Sequence, residues 1–160
     1  MLDQKQMRGI VTDVLQSLGD KYADPKAIEL IYNTGLVESK YVYLKQIKGP
    51  ARGVFQMEPF TGIDICTNYL KYRESLMKKV ADVCMLDWKY FLKPNEDDWQ
   101  HILTSNLYAQ ICMARMHYRR VPKPLPRTLE DQAIYWKSFY NTHKGKGTPQ
   151  HFAEIVSKYG

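Results

Sequence analysis

The chain carries ES at residues 38–39 and GPARGVFQMEP at residues 49–59. Glu38 closes an apolar helical pattern, in which Ile31 and Gly35 lie seven and three positions before it. A carboxyl group held against apolar surface loses hydration of its charged form, so its pKa rises. A general acid needs that property to hold a proton near neutral pH. By its position alone Glu38 could be such an acid, but a helix-end glutamate paired with a lysine is the more common case, so a catalytic role depends on the block that follows at residues 49–59.

The pattern of apolar residues predicts a mainly helical chain. A first helix covers residues 4–18, and a second starts at Asp24-Pro25 as N-cap and first helical position, then runs towards Glu38. Gly35 either ends that helix early or lets another segment approach closely. Residues 40–58 lack helical periodicity and are expected to include a short extended or β-like segment near the cleft. Further helical patterns occupy residues 60–71, 75–86, 96–104, 106–118, 128–140 and 148–159.

The prolines at residues 122–126 form the one clear connector, which is too short to separate domains. Residues 1–160 are therefore expected to form a single domain. A hydrophobic content of 44% and a charged content of 25% exclude the disordered and fibrous classes. The net charge of +6 favours an anionic partner without choosing among nucleic acid, membrane surface and acidic cell wall.

Other features argue against several classes of function. The three cysteines, expected to be buried free thiols, and the four histidines lack metal-ligand spacing, so no metal or cofactor is expected. The basic run at residues 115–123 comes without a nucleic-acid fold signature and is interpreted as complementing a helix C-terminus. No apolar run approaches the roughly eighteen residues that a membrane span needs, and the polar first residues predict no signal peptide.

The order and spacing of the motif residues resembles the signature of the lytic transglycosylase, or goose-type lysozyme-like, family. That signature is E-S, then G-A-R-G-L-M-Q and a nearby P, and here Gly53, Gln56 and Pro59 follow Glu38 by fifteen, eighteen and twenty-one positions. A third element, Tyr140-Asn141 followed by Gly145, is similar to the family's A-Y-N-x-G.

The chain departs from the family pattern at several positions. Phe139 replaces the usual alanine, residues 142–144 lengthen the loop before Gly145, and Glu58 stands where an apolar residue is common. The helix after Asn106 also lacks the family's glycine. These departures indicate a divergent branch of the family and suggest one that is encoded by a phage.

The resemblance implies a lysozyme-like fold with its cleft between the Glu38 helix and the turn at residues 53–56. It implies an enzyme that cleaves the β-1,4 bond between N-acetylmuramic acid and N-acetylglucosamine in peptidoglycan, with Glu38 as acid and then base and a 1,6-anhydro sugar as product. The implied substrate-binding residues are Ser39, Phe55, Gln56, Glu58, Tyr140 and Asn141. Purely structural roles stay open for Ser39 as a backbone contact, for Gln56 in its turn and for Tyr140 in the core.

Two other functions stay open. A hydrolase of the same bond needs a second acid, and Glu58 and Asp64 are the carboxylates near the motif. A non-catalytic wall-binding or virion structural protein could keep the same fold. The expected partners are peptidoglycan strands, which the resemblance implies, and other virion proteins. The second expectation follows because a protein made in the cytoplasm without a signal peptide needs a phage particle or a holin-type pore to reach the cell wall.

Overall fold

The computed structural model describes residues 2–142 and 145–160 of the chain. Helix covers 69% of the residues, which confirms the mainly α prediction for a single domain. The nine α-helices of the described residues are α1 Gln4–Leu18, α2 Pro25–Ser39, α3 Pro59–Asn68, α4 Glu74–Cys84, α5 Lys89–Leu92, α6 Glu96–Ser105, α7 Leu107–Arg119, α8 Leu129–Trp136 and α9 Pro149–Tyr159. Short 3₁₀ turns follow α1 and α3, and a π-helical turn, Lys137–Asn141, continues α8. Within the described part of the chain, no helix has the length and hydropathy to cross a membrane.

Helix α2 places the candidate acid, and its start matches the sequence prediction. The Asp24 side chain accepts a hydrogen bond from the Lys26 backbone N–H, and Pro25 occupies the first helical position. The helix passes through Gly35 without a break and ends at Ser39. A Cβ atom at residue 35 would collide with the Tyr41 ring, so the glycine serves close approach and does not end the helix.

The predicted β-like segment is wrong, because no strand occurs in residues 2–142 or 145–160. The segment between α2 and α3 holds only two isolated antiparallel bridges, both of which involve Arg52. Its backbone turns repeatedly into the left-handed region, with φ of 55° at Tyr41, 57° at Lys48 and 49° at Gln56. Each such residue reverses the direction of an extended chain, so a continuous strand cannot form.

Helix α7 is the centre of the core. Every residue from 109 to 116 is buried, and the helix contacts α1, α2, α3, α4 and α6. A helix that is buried on every face over two turns is one that other helices surround. The three cysteines are buried free thiols, as the sequence predicts. A smaller apolar cluster of Val37, Ala133, Trp136 and Phe152 joins α2 to α8 and α9 just behind Glu38.

Candidate active site

A cleft with a volume of about 930 Å³ lies beside the end of α2. The loop between α2 and α3 forms one side of it, and the turn that follows α8 forms the other. Five of the residues that the sequence assigns to a site line this cleft: Glu38, Gln56, Glu58, Tyr140 and Asn141. Three lysines, Lys45, Lys48 and Lys146, also line it. The structure therefore brings together residues that are far apart in the chain, such as Glu38 and Asn141.

Glu38 lies in the last turn of α2 and is partly exposed at the cleft wall. Its Oε2 atom accepts a hydrogen bond of 2.9 Å from Nε1 of Trp136. Burial raises the pKa of Glu38 to about 7, and the hydrogen bond from Trp136 offsets part of that rise. A carboxyl group with this pKa is about half protonated at neutral pH. It can donate a proton in one step and accept one in the next.

Trp136 is a site residue whose role the sequence did not reveal. It is almost fully buried and packs against Phe152, with ring centroids 5.4 Å apart. A Cβ atom at residue 147 would collide with its ring, so Gly147 allows the chain to pass closely over the indole. The only signal in the sequence is general, since a buried tryptophan usually finds an acceptor for its N–H group. That signal does not identify Glu38 as the acceptor.

Ser39 lies behind the cleft wall and does not line the cleft. Its hydroxyl donates to the Val54 carbonyl oxygen at 2.6 Å and accepts from the Tyr41 backbone N–H at 3.0 Å. These bonds tie the end of α2 to the turn at residues 53–56. The position of Ser39 thus fits the backbone-bonding role and offers no direct contact with a ligand in the cleft.

The turn opposite Glu38 depends on Gly53 and Gln110. Gly53 has φ of 77°, and a Cβ atom there would collide with the Leu103 carbonyl oxygen. The Oε1 atom of buried Gln110 accepts the Val54 N–H at 2.9 Å. Gln56 has φ of 49°, and its Nε2 atom donates to the Gly53 carbonyl oxygen at 2.9 Å. Gln56 therefore stabilises the turn and also lines the cleft.

Tyr140 joins the two sides of the cleft. Its hydroxyl donates to the Phe55 carbonyl oxygen at 2.7 Å, whereas the Phe55 ring is buried in the core and does not line the cleft. Burial raises the pKa of Tyr140 well above its usual range, and the nearby Glu38 carboxylate raises it further. The phenol is therefore neutral at physiological pH and can donate a hydrogen bond. Its neighbour Asn141 accepts a 2.7 Å hydrogen bond from Lys137 Nζ.

The loop after Asn141 is only partly described. Nζ of Lys137 also donates to the Gly145 carbonyl oxygen at 2.9 Å, which fixes one end of the loop. His143 and Lys144, which the sequence assigns to the lengthened part of this loop, lie outside the described residues.

The two candidates for a second carboxylate lie in different surroundings. Glu58 is exposed and lines the cleft. Asp64 does not line it; its Oδ2 atom accepts a 2.6 Å hydrogen bond from Arg120, and Asn68 donates to its other oxygen. The bond from Arg120 lowers the pKa of Asp64 below its usual value. Among the described residues, Glu38 and Glu58 are thus the carboxylates that line the cleft.

His117 lines the cleft, and the sequence did not assign it to the site. Its ring packs edge-on against Tyr140, with centroids 5.2 Å apart, and Arg120 Nη2 lies 2.7 Å from its Nδ1 atom. Burial lowers the pKa of His117 to about 4, and the charge of Arg120 lowers it further. A guanidinium only donates hydrogen bonds, so Nδ1 accepts and the neutral ring carries its proton on Nε2. No sequence pattern distinguishes this histidine from the other three.

In the described residues, no three histidine, cysteine, aspartate or glutamate side chains form a group that could hold a metal ion.

No protein-family model, curated protein or solved structure matches this chain. The resemblance to lytic transglycosylases therefore depends on the motif residues themselves.

Proposed function

We propose that this protein is a peptidoglycan lytic transglycosylase with a lysozyme-like fold and that Glu38 is its single catalytic residue. The observation that carries the proposal is the state of the Glu38 carboxyl group. It lies in the wall of a cleft, receives one neutral hydrogen-bond donor, and has a pKa of about 7. Such a group can act as acid and then as base at the same pH.

The proposed reaction needs one proton carrier and no water. The Glu38 carboxyl donates its proton to the glycosidic oxygen, and the bond from that oxygen to C1 of N-acetylmuramic acid breaks. The neighbouring N-acetyl group stabilises the positive charge that develops at C1. The Glu38 carboxylate then takes the proton of the C6 hydroxyl, whose oxygen bonds to C1 and closes the 1,6-anhydro ring. Glu38 ends the cycle protonated, so no second carboxylate takes part.

Other residues of the cleft support a sugar ligand. Gln56, Asn141 and the neutral ring of His117 supply hydrogen-bonding groups along the cleft walls. The three lysines at the cleft suit the carboxylates of wall peptides, because opposite charges attract over long range. On this proposal the partners are peptidoglycan strands, and other virion proteins are the carriers where a phage particle delivers the enzyme.

Hydrolysis of the same bond is the second candidate, and Glu58 is the observation that favours it. This carboxylate lines the same cleft as Glu38, so it is the residue that could activate a water molecule or act as a nucleophile. A non-catalytic wall-binding protein is the third candidate. A partly desolvated acid with a raised pKa argues against it, since such a group costs stability at neutral pH without helping a binding protein.

Product analysis separates the three candidates. Purified peptidoglycan is incubated with the wild type, Glu38→Gln or Glu58→Gln, and the released fragments are analysed by mass spectrometry. A transglycosylase gives anhydro ends, which disappear with Glu38→Gln and persist with Glu58→Gln. A hydrolase gives reducing ends, which contain one more water and require both residues. Equal binding of peptidoglycan by all three proteins without any cleavage would refute the enzymatic proposal.

A further inference from the structure

A second cavity, with a volume of about 750 Å³, shares no lining residue with the cleft. One side of this cavity is formed by the end of α1 and the 3₁₀ turn that follows α1. The other side is formed by α4, the residues just before α4 and the last residue of α7. We call this cavity the basic pocket. Its charged lining residues are the cations Lys21, Arg73, Lys78, Lys79 and Arg119 and the acids Glu74 and Asp82.

The positive charge of the basic pocket is only partly balanced. Glu74 forms a 2.9 Å ion pair with Lys78, one turn along α4. The other four cations have no carboxylate within ion-pair distance in residues 2–142 and 145–160. Five cations against two acids leave a local excess of three positive charges. Such an excess in a concave surface concentrates anions from solution.

Two buried tyrosine rings hold the arginines of the pocket in place. The Arg73 guanidinium lies 4.0 Å above the Tyr69 ring, and its Nη1 atom donates to the Tyr69 carbonyl oxygen at 3.0 Å. The Arg119 guanidinium lies 5.5 Å from the Tyr22 ring centroid. A guanidinium stacked in this way loses conformational freedom before any ligand arrives, while its N–H edge can still bind an anion.

Buried Arg115 adds a further positive charge beside the same ring. It is only 2% exposed, its Nε atom donates to the Tyr22 carbonyl oxygen at 3.0 Å, and its guanidinium lies 5.9 Å from the Tyr22 ring centroid. None of the carboxylates in the described residues pairs with it. Arg119 lies one helical turn away, so the two positive charges repel each other. The helix dipole favours cations only in the last turn of α7 and does not explain a buried one.

We propose that the basic pocket binds an organic phosphate. Arg115 does not itself line the pocket, whereas Arg119 does. The repulsion between these two arginines around Tyr22 costs free energy, and an anion bound beside Arg119 offsets that cost. A carboxylate supplies one negative charge, whereas a phosphate monoester supplies about 1.5 to 2 and three strong acceptor oxygens that match guanidinium forks. The cavity volume lies in the range of about 300–1,000 Å³ that is usual for small organic ligands. This site is independent of the cleft chemistry.

Calorimetric titration of the full chain at low and moderate salt tests the proposal. The probe is glycerol 3-phosphate, and glycerate is the matched ligand that carries a carboxylate in place of the phosphate. We expect the wild type to bind glycerol 3-phosphate at least tenfold more tightly than glycerate. Equal affinity for the two probes, or no binding of any phosphate probe, would overturn the proposal. Inorganic phosphate, glycerol phosphate oligomers and phosphatidylglycerol vesicles then show whether the phosphate belongs to a free ion, a polymer or a lipid.

Matched variants locate the site. Arg73→Gln with Arg119→Gln removes two charges from the basic pocket and should weaken binding at least tenfold. Lys5→Gln with Lys93→Gln removes two exposed charges from outside both cavities and should leave binding unchanged. Equal weakening by the two double variants would show that only net charge matters and would refute a pocket. Thermal melts verify that both variants fold, and Glu38→Gln should bind phosphate as the wild type does, whatever its activity on peptidoglycan.

Discussion

Glu38 and Asp64 carry the same functional group in opposite electrostatic surroundings. Glu38 receives one neutral N–H donor from Trp136, and burial raises its pKa to about 7. The Asp64 side chain is 47% exposed and forms a 2.6 Å ion pair with Arg120, which lowers its pKa. The chain contains 23 lysines and arginines, yet among the described residues none pairs with Glu38. The chemical role of a carboxyl group is thus decided by how far burial removes its hydration and by whether a cation reaches it.

The largest expected difference between the two carboxylates is in catalysis. Glu38→Gln keeps an acceptor for the Trp136 N–H but removes the transferable proton, so we expect release of soluble peptidoglycan fragments to fall by about 10²- to 10⁴-fold. Asp64→Asn leaves the cleft lining intact, and we expect its rate to stay within about fivefold of the wild type. Initial rates on purified peptidoglycan measure both effects. Comparable losses in the two variants would contradict the assignment of Glu38 as the only catalytic acid.

The second expected difference concerns stability as a function of pH. The folded pKa of Glu38 lies above its unfolded value of 4.5, so its contribution to stability is fully present below pH 4.5 and is lost as pH rises through about 7. Glu38→Gln has no titrating carboxyl group at this position, so its stability does not fall in this way as the pH rises. We therefore expect the free energy of unfolding of Glu38→Gln, relative to wild type, to improve by about 2–3 kcal/mol between pH 5 and pH 8. Urea denaturation at both pH values measures the change.

Asp64 provides the control of opposite sign. Its folded pKa lies below the unfolded value of 3.8, so its contribution is present above pH 3.8 and disappears as the pH falls through the folded pKa. Asp64→Asn should therefore lose stability relative to wild type near neutral pH and approach it in acid.

A constant stability gap between wild type and Glu38→Gln from pH 5 to pH 8 would contradict the expectation for Glu38. It would show that the Glu38 carboxyl group is hydrated like a surface glutamate.

The sequence predicts the helices well because their signals are local. The N-cap at Asp24, the apolar stripes and the prolines each act within a few residues, so the bounds of α1 and α2 agree with the structure. The prediction of a β-like segment was wrong because the backbone of this segment is not determined by local signals. The residue types at 41–44 suggest a short strand or an extended loop segment, whereas the left-handed backbone at Tyr41, Lys48 and Gln56 depends on contacts made elsewhere in the fold.

The candidate site was only partly predictable because its hydrogen bonds join distant residues. The motif spacing places Glu38 and Gln56 at one cleft, and the structure brings them there. Trp136 is 98 positions from Glu38, and nothing in either local sequence indicates that they meet. His117 lies on the central helix α7, where its pattern resembles that of a core residue. Long-range pairs of this kind arise from tertiary packing, which leaves no periodic pattern of residues in a single sequence.

The third expected effect tests how Glu38 is held in position. Ser39→Ala removes the hydrogen bond to the Val54 carbonyl oxygen and leaves that buried group without its donor. We expect a loss of about 1–2 kcal/mol in the free energy of unfolding and a fall in kcat larger than any rise in KM. Ser105→Ala is the matched control, because the Ser105 hydroxyl donates to the carbonyl oxygen of His101 at an exposed site within its own helix. Equal effects of the two substitutions would remove the positioning role of Ser39.

The smallest expected effect concerns the pKa of Glu38 itself and acts through the hydrogen bond that Trp136 donates to it. Trp136→Phe removes a hydrogen bond that favours the charged form, so the pKa of Glu38 should rise further. A hydrogen bond to a charged group contributes about 1.5 kcal/mol, which corresponds to roughly one pH unit. Because the protonated form starts the reaction, the alkaline limb of kcat/KM against pH should move upward by about that amount. Trp88→Phe, in which an exposed tryptophan donates to Asp82, should leave the limb in place. A downward shift with Trp136→Phe would contradict this expectation and would mean that the indole acts on the pKa of Glu38 mainly by excluding water and not through its N–H group.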